Sequence, residues 1–167
     1  MTDRERFERL IGFVLEHEGG LADDPDDPGG ITKYGISLRS YPHLGANGIR
    51  NLTIEDAKGI YYQDWWLPLK CPQIHDDKVA QKYLDTCVNT GKRTGTKILQ
   101  RALQMIGYRI TVDGAIGPKT LAAVNAADPQ ALLVAMRQQQ KAHYEQLIQK
   151  NPELKKFRRG WMARANS

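Results

Sequence analysis

The chain is predicted to be all-α, mainly helical and bilobal, with one short β-hairpin after its first helix. Three observations predict this. Apolar residues recur at helical spacing along most of the 167 residues, and alternating patterns of the β type are nearly absent. Asp or Asn followed by Pro, or Gly followed by Pro, recurs where a helix would start, at Gly117-Pro118, Asp128-Pro129 and Asn151-Pro152. No Ser/Gly-rich or Pro-rich linker divides the chain, so two lobes packed together are expected in place of separated beads.

The first helix carries Phe7, Leu10, Ile11 and Val14 at i, i+3, i+4 and i+7, and Glu18 falls four residues later on the same face. Residues 19 to 36 read as irregular, with a short hairpin. Thr53 opens the next helix with Asp56 at its third position, a capping arrangement, and the helix runs through Ile60, Tyr61 and Tyr62 toward Trp65. Pro68 and Pro72 break it. A helix from about Asp76 to Asn89 ends at Gly91, and another spans about Thr94 to Ile106. A turn at VDGAIGPKT leads into the helix that Pro118 starts; the helix begun by Asp128 and Pro129 reaches about Lys150. The best functional division lies near Gly91, giving 1–90 and 91–167.

Composition excludes several classes. The hydrophobic fraction is 41%, and no apolar run approaches the roughly 20 residues needed to span a bilayer, so no stable membrane insertion is expected. The N-terminus MTDRERFERL mixes both charge signs, and LIGFVL is too short for an exported h-region. Cytoplasmic synthesis is the expectation, with release to the wall provided by something else. Cys71 and Cys87 have no CxxC spacing and are expected to be a reduced, buried pair; His17, His43, His75 and His143 stand singly, so no metal is expected. The net charge of +5 favours polyanions and anionic envelopes. Nucleic acid is not expected, because no zinc-finger or RNP-like motif is present and the aromatics are not interleaved with the cations.

The chemistry concentrates in EGGLADDPDDPGGITKYGI, from Glu18 to Ile36. A carboxyl group facing inward loses water and sits at the negative end of the helix dipole; both effects favour its protonated form, as a general acid requires. Glycosidic cleavage needs a second carboxylate across the bond, for which Asp27 is the best candidate, with Asp26 and Asp24 as alternatives. The same glycines also serve a purely structural reading, supplying positive φ at a helix end and a hairpin. A calcium loop in DDPDDPGG fails because the twelfth position from Asp23 is Tyr34, where a bidentate Glu is needed.

The spacing resembles that of phage-type lysozymes, in which a helix-terminal Glu is followed nine positions later by Asp and then by Thr. Here 27 − 18 is nine, whereas Thr32 comes one position sooner than in those enzymes. EGG, DPGGITKYGI, YYQDWW, LDTCVNTG, ILQRAL, DGAIGPKTL and the GWMAR ending, in that order, resemble the glycoside hydrolase 108 N-acetylmuramidases with their C-terminal peptidoglycan-binding region. The resemblance implies a lysozyme-like fold and a phage or prophage endolysin cutting the β-1,4 bond between N-acetylmuramic acid and N-acetylglucosamine without cofactor. Glu18 would be its acid, Asp27 the base and Thr32 the residue that helps hold water. An inverting route would set the carboxyl groups about 6.5–9.5 Å apart.

Sugars need aromatic platforms and polar edges. Tyr34, Asn89, Tyr62, Trp65 and Trp66 are the available set, but Tyr61, Tyr62, Trp65 and Trp66 share helical spacing, so two of those four are expected in the core. Lys33 can meet a muramyl or stem-peptide carboxylate, or simply be a surface lysine. Asp85 reads as a buried structural acid. The ending holds Lys150, Lys155, Lys156, Arg158, Arg159 and Arg164 against Glu153, which suits lipopolysaccharide or another anionic envelope, while Phe157 and Trp161 pack inward. A monomer is expected. Two rival activities fit: a lytic transglycosylase, which needs no Asp, and a non-catalytic wall-binding or secretion-accessory protein.

Overall fold

A computed structural model describes residues 1–23 and 30–167. The chain divides into two compact units, Met1–Pro68 and Leu69–Ser167. The architecture is mainly α: among the described residues, eight α-helices accompany one small antiparallel sheet of order β1-β2-β3.

In the first unit, α1 (Asp3–Glu18) starts at a reciprocal capping box: Thr2 Oγ1 accepts from the Glu5 N–H at 3.1 Å, and the Glu5 carboxylate accepts from the Thr2 N–H at 2.7 Å. Phe7, Leu10, Ile11 and Val14 are all buried, and the helix stops at Gly19, whose φ of +71° is open to glycine without strain. Strands β1 (Leu21–Ala22), β2 (Thr32–Lys33) and β3 (Ile36–Ser37) follow, with Leu21 opposite Lys33 and Lys33 opposite Ile36. The expected hairpin is thus one half of a three-stranded sheet.

Helix α2 (Gly45–Arg50) was not foreseen by periodicity; its Ile49 is fully buried. Helix α3 (Ile54–Tyr61) begins at the expected box, in which Thr53 and Asp56 cap each other and the Thr53 N–H bond holds the Asp56 carboxyl below its usual range. The helix widens into a π turn over Tyr62–Trp66, closed by the Leu67 N–H bonding to the Tyr62 carbonyl at 3.1 Å.

The second unit is a helical bundle. Helix α4 (Asp77–Thr90), capped by Asp76, turns at Gly91 (φ +96°) directly into α5 (Lys92–Met105). Helix α6 (Pro118–Ala126) and the long α7 (Pro129–Lys150) both have proline in the first turn, and Asp128 caps α7. After a 3-10 segment at Pro152–Phe157 comes α8 (Arg158–Asn166). Helix α7 packs against α4, α5 and α8. Leu84, Leu99, Leu103, Leu132 and Met136 form its core, each removal from water contributing about 1.5–3 kcal/mol. The Asp85 carboxylate is buried, paired with Arg164, as a structural acid. Arg164 therefore does not belong to an outward basic face.

Candidate active site

Glu18 is the last residue of α1 and is half-buried. The Gly19 N–H bonds back to the Leu15 carbonyl at 3.0 Å, so the chain leaves the helix sharply beside this carboxyl group. Across from it, β2 and β3 are joined by the two residues Tyr34 and Gly35, with φ of +53° and +80°. Positive φ at both central positions is the pattern of a type I′ turn, whose twist matches the strands it joins. Glycine is obligatory at the second: a Cβ on Gly35 would lie 2.8 Å from Glu18 Cγ and would also strike the Tyr61 hydroxyl. The hairpin turn is therefore closed directly onto the Glu18 side chain.

Of the expected catalytic residues, Thr32 lies in β2, opposite Ala22 and Ser37. Asp27, with Asp24 and Asp26, lies outside the described residues. Lys33 is engaged within its own unit. Its ammonium donates to the Arg50 carbonyl at 2.7 Å, where a cation suits the C-terminus of α2, and it stands 5.6 Å from the Tyr34 ring centroid. Arg50 in turn pairs with Asp23 at 3.0 Å on the surface.

The aromatic set divides. Trp66 is fully buried; its indole N–H donates to both Asp3 oxygens at 3.1 and 3.2 Å, and its ring stacks on Phe7. Tyr62 also stacks on Phe7, donates to Asp3 at 3.0 Å and carries the Arg4 guanidinium 4.6 Å from its ring centroid. These two rings tie the start of α1 to the π turn. Tyr61 is buried as well, so of the four clustered rings Tyr61 and Trp66 are core. Trp65 remains half-buried beside Tyr61, with centroids 6.3 Å apart, and donates to the Tyr41 hydroxyl at 3.4 Å. That hydroxyl donates to Asp64 at 2.9 Å, and burial, reinforced by the Asp64 carboxylate, pushes its pKa up to about 12. Tyr41 and Tyr61 were not singled out as site residues from the sequence; the signal available was that a buried phenol needs a partner for its hydroxyl.

Asn89 belongs to the second unit, at the end of α4, where its side-chain oxygen accepts from the Tyr144 hydroxyl; Gln140 donates to the same hydroxyl at 2.7 Å. The DGAIGPKT turn is organised by Gln100, fully buried on α5. Its amide nitrogen donates to Asp113 at 2.9 Å, the Ala115 carbonyl at 3.0 Å and Thr120 at 3.2 Å, while its oxygen accepts from the Gly114 N–H at 2.9 Å. Beside this turn lies a groove of about 480 Å³, walled by Ile110, Thr111 and Pro118 and rimmed by Asp113 and Lys119. Tyr108 and Arg109 extend it. Among the described residues, no group of three or more His, Cys, Asp and Glu could hold a metal ion, and no helix is long and apolar enough to cross a membrane.

Residues 11–91 match the glycosyl hydrolase 108 family, and residues 94–166 match the predicted peptidoglycan domain. A solved structure, that of Brucella abortus SagA, is similar at 26% identity with a TM-score of 0.79, over 96% of this chain and 90% of that one. No curated protein matches. The two matched segments indicate a peptidoglycan-degrading glycosidase. With a helix-terminal Glu in the first segment and the Gln100-organised turn in the second, the chain belongs to the glycosyl hydrolase 108 family and carries a C-terminal peptidoglycan-binding region.

Proposed function

We propose that the chain is an N-acetylmuramidase that hydrolyses the β-1,4 bond between N-acetylmuramic acid and N-acetylglucosamine, with Glu18 as general acid. The observation that carries this reading is the type I′ turn closed onto a helix-terminal carboxyl group inside the matched glycosidase segment. Cleavage needs a proton on the leaving oxygen and a second group at the opposite face of the sugar. In the proposal Glu18 gives that proton, Asp27 takes one from the attacking water, and Thr32 helps to hold the water. Tyr34 and Trp65 offer ring faces for the sugars. The groove near Lys119 and Arg109 gives the second unit its contact with the wall.

The biological role proposed is lysis of a bacterial host by a phage-type endolysin that acts as a monomer, made in the cytoplasm and released to the wall through a holin. Its exposed C-terminal cations draw it to lipopolysaccharide. The experiment is product analysis on purified peptidoglycan. Hydrolysis leaves reducing muramic acid ends, whereas a lytic transglycosylase leaves 1,6-anhydro ends lighter by one water. Glu18→Gln is expected to lower the rate by about 100-fold or more while wall binding persists. Asp27→Asn is expected to cost a comparable amount and to be rescued by azide with a single anomeric product. Wall binding by a parent protein without any cleavage would sink the enzymatic assignment in favour of an accessory role.

A further inference from the structure

The Tyr61 hydroxyl stands where α3, the β2–β3 turn and the end of α1 meet. It donates to the Tyr34 carbonyl at 2.6 Å from a ring that is only 1% exposed. A Cβ built on Gly35 would meet that same hydroxyl, Glu18 Cγ at 2.8 Å and Glu18 Cδ at 3.1 Å. The turn backbone is thus held between the acid on one side and the phenol on the other. Tyr34 has φ of +53°, a conformation that a bulky residue keeps only where its surroundings impose it. The strand register on either side and the Tyr61 bond supply that constraint.

We propose that Tyr61 is a positioning residue for Glu18: its hydroxyl pins the Tyr34–Gly35 turn against the carboxyl group and so fixes the direction in which the acid presents its proton. This rests on the reading of Glu18 as the general acid. Tyr61 touches no substrate in the proposal. Its lever is geometry, since a misplacement of about 1 Å at a reacting group can cost on the order of 100-fold in rate. Without the bond, the turn is free to move away and the Glu18 side chain gains rotamers that aim past the leaving oxygen.

Tyr61→Phe keeps the ring and removes only the hydroxyl. On soluble glycan fragments it is expected to lower kcat by about tenfold with KM unchanged within about twofold, the pattern of an interaction lost in the transition state alone. Glu18→Asp withdraws the carboxyl group from the turn, and in that background Tyr61→Phe is expected to cost much less, because residues acting through one contact are not additive. Full activity of Glu18→Gln would overturn the acid itself. An inactive Glu18→Gln beside a Tyr61→Phe protein with parental kcat would overturn the positioning role alone. An equal loss from Tyr61→Phe in the parent and in Glu18→Asp, with KM and melting temperature moving together, would reduce Tyr61 to a structural residue and equally overturn the proposal.

Discussion

Asp85 and Arg164 form a two-point ion pair in the interior of the second unit, with Arg164 Nη2 2.8 Å from Oδ1 and Nε 3.1 Å from Oδ2 of a carboxylate that has no solvent exposure. The pair fastens α8 to α4. A buried charge that loses its partner keeps its desolvation cost without the compensating attraction. Asp85→Ala or Arg164→Ala is therefore expected to destabilise the protein by about 3–5 kcal/mol in denaturant titration. The double variant should cost less than the sum of the two singles, and strict additivity would contradict the pairing.

Helices α4 and α5 approach through Gly95, where a Cβ would sit 2.5 Å from Cys87 Sγ and 2.7 Å from its Cα. The Cα is backbone and cannot step aside. Gly95→Ala should thus destabilise by about 1–3 kcal/mol, against the usual gain from Gly→Ala inside a helix. The same packing buries the Cys87 thiol and pushes its pKa up to about 12. In native protein at pH 8, iodoacetamide should leave Cys87 unmodified over a period that alkylates it fully in denaturant.

Lys82 is buried, with its ammonium donating to the Ala165 carbonyl at 2.8 Å and the Arg164 carbonyl at 3.2 Å. Burial, helped by the charges of Arg137, Arg164 and Lys141 and opposed by Asp85, lowers its pKa from 10.5 to about 8. Between these values the unfolded chain binds the proton that the native state has released, so this group makes stability rise with pH from about 8. Cys87 acts oppositely above its ordinary value of 9, because its folded pKa is raised. The clean window is therefore about pH 8 to 9, where denaturation should show a positive slope of at most about 1.4 kcal/mol per pH unit. Lys82→Met should flatten it; an unchanged slope in that variant would assign the effect elsewhere.

Much of the helical framework is legible in the sequence because caps are local. Thr53 with Asp56, Asp128 with Pro129, and Gly91 each mark a boundary by the chemistry of neighbouring residues. Helix α2 is not legible: GANGIR has two glycines and no side-chain N-cap, and what holds it is buried Ile49 together with the Lys33 ammonium on its last turn, a contact from another strand. The site divides in the same way. That Glu18 ends α1 follows from the spacing of Phe7, Leu10, Ile11 and Val14. That Tyr61 meets the hairpin turn behind it does not, since 27 residues separate Tyr61 from Tyr34 and nothing local joins them. The roles of Trp65 and Trp66 diverge only because the π turn sets which ring faces Phe7.

The C-terminal cations are sorted by their partners. Arg164 is committed to Asp85, and Arg158 pairs with Glu145 at 2.7 Å, while Lys155, Lys156 and Arg159 are exposed. Beside them Phe157 is 44% exposed and stacks on Trp161, which stacks in turn on Tyr144, so the aromatic ladder anchors the segment from within. Changing Lys155, Lys156 and Arg159 to Gln removes outward charge without disturbing that ladder. Each cation near an anionic surface contributes about 1 kcal/mol, so the triple variant should bind lipopolysaccharide vesicles roughly 100-fold more weakly at low salt, with a flatter salt dependence. Cleavage of short soluble glycans should be unchanged, because Glu18 and its turn lie in the other unit. Equal vesicle binding by the variant and the parent across low and moderate salt would show that these charges are only a solvated face.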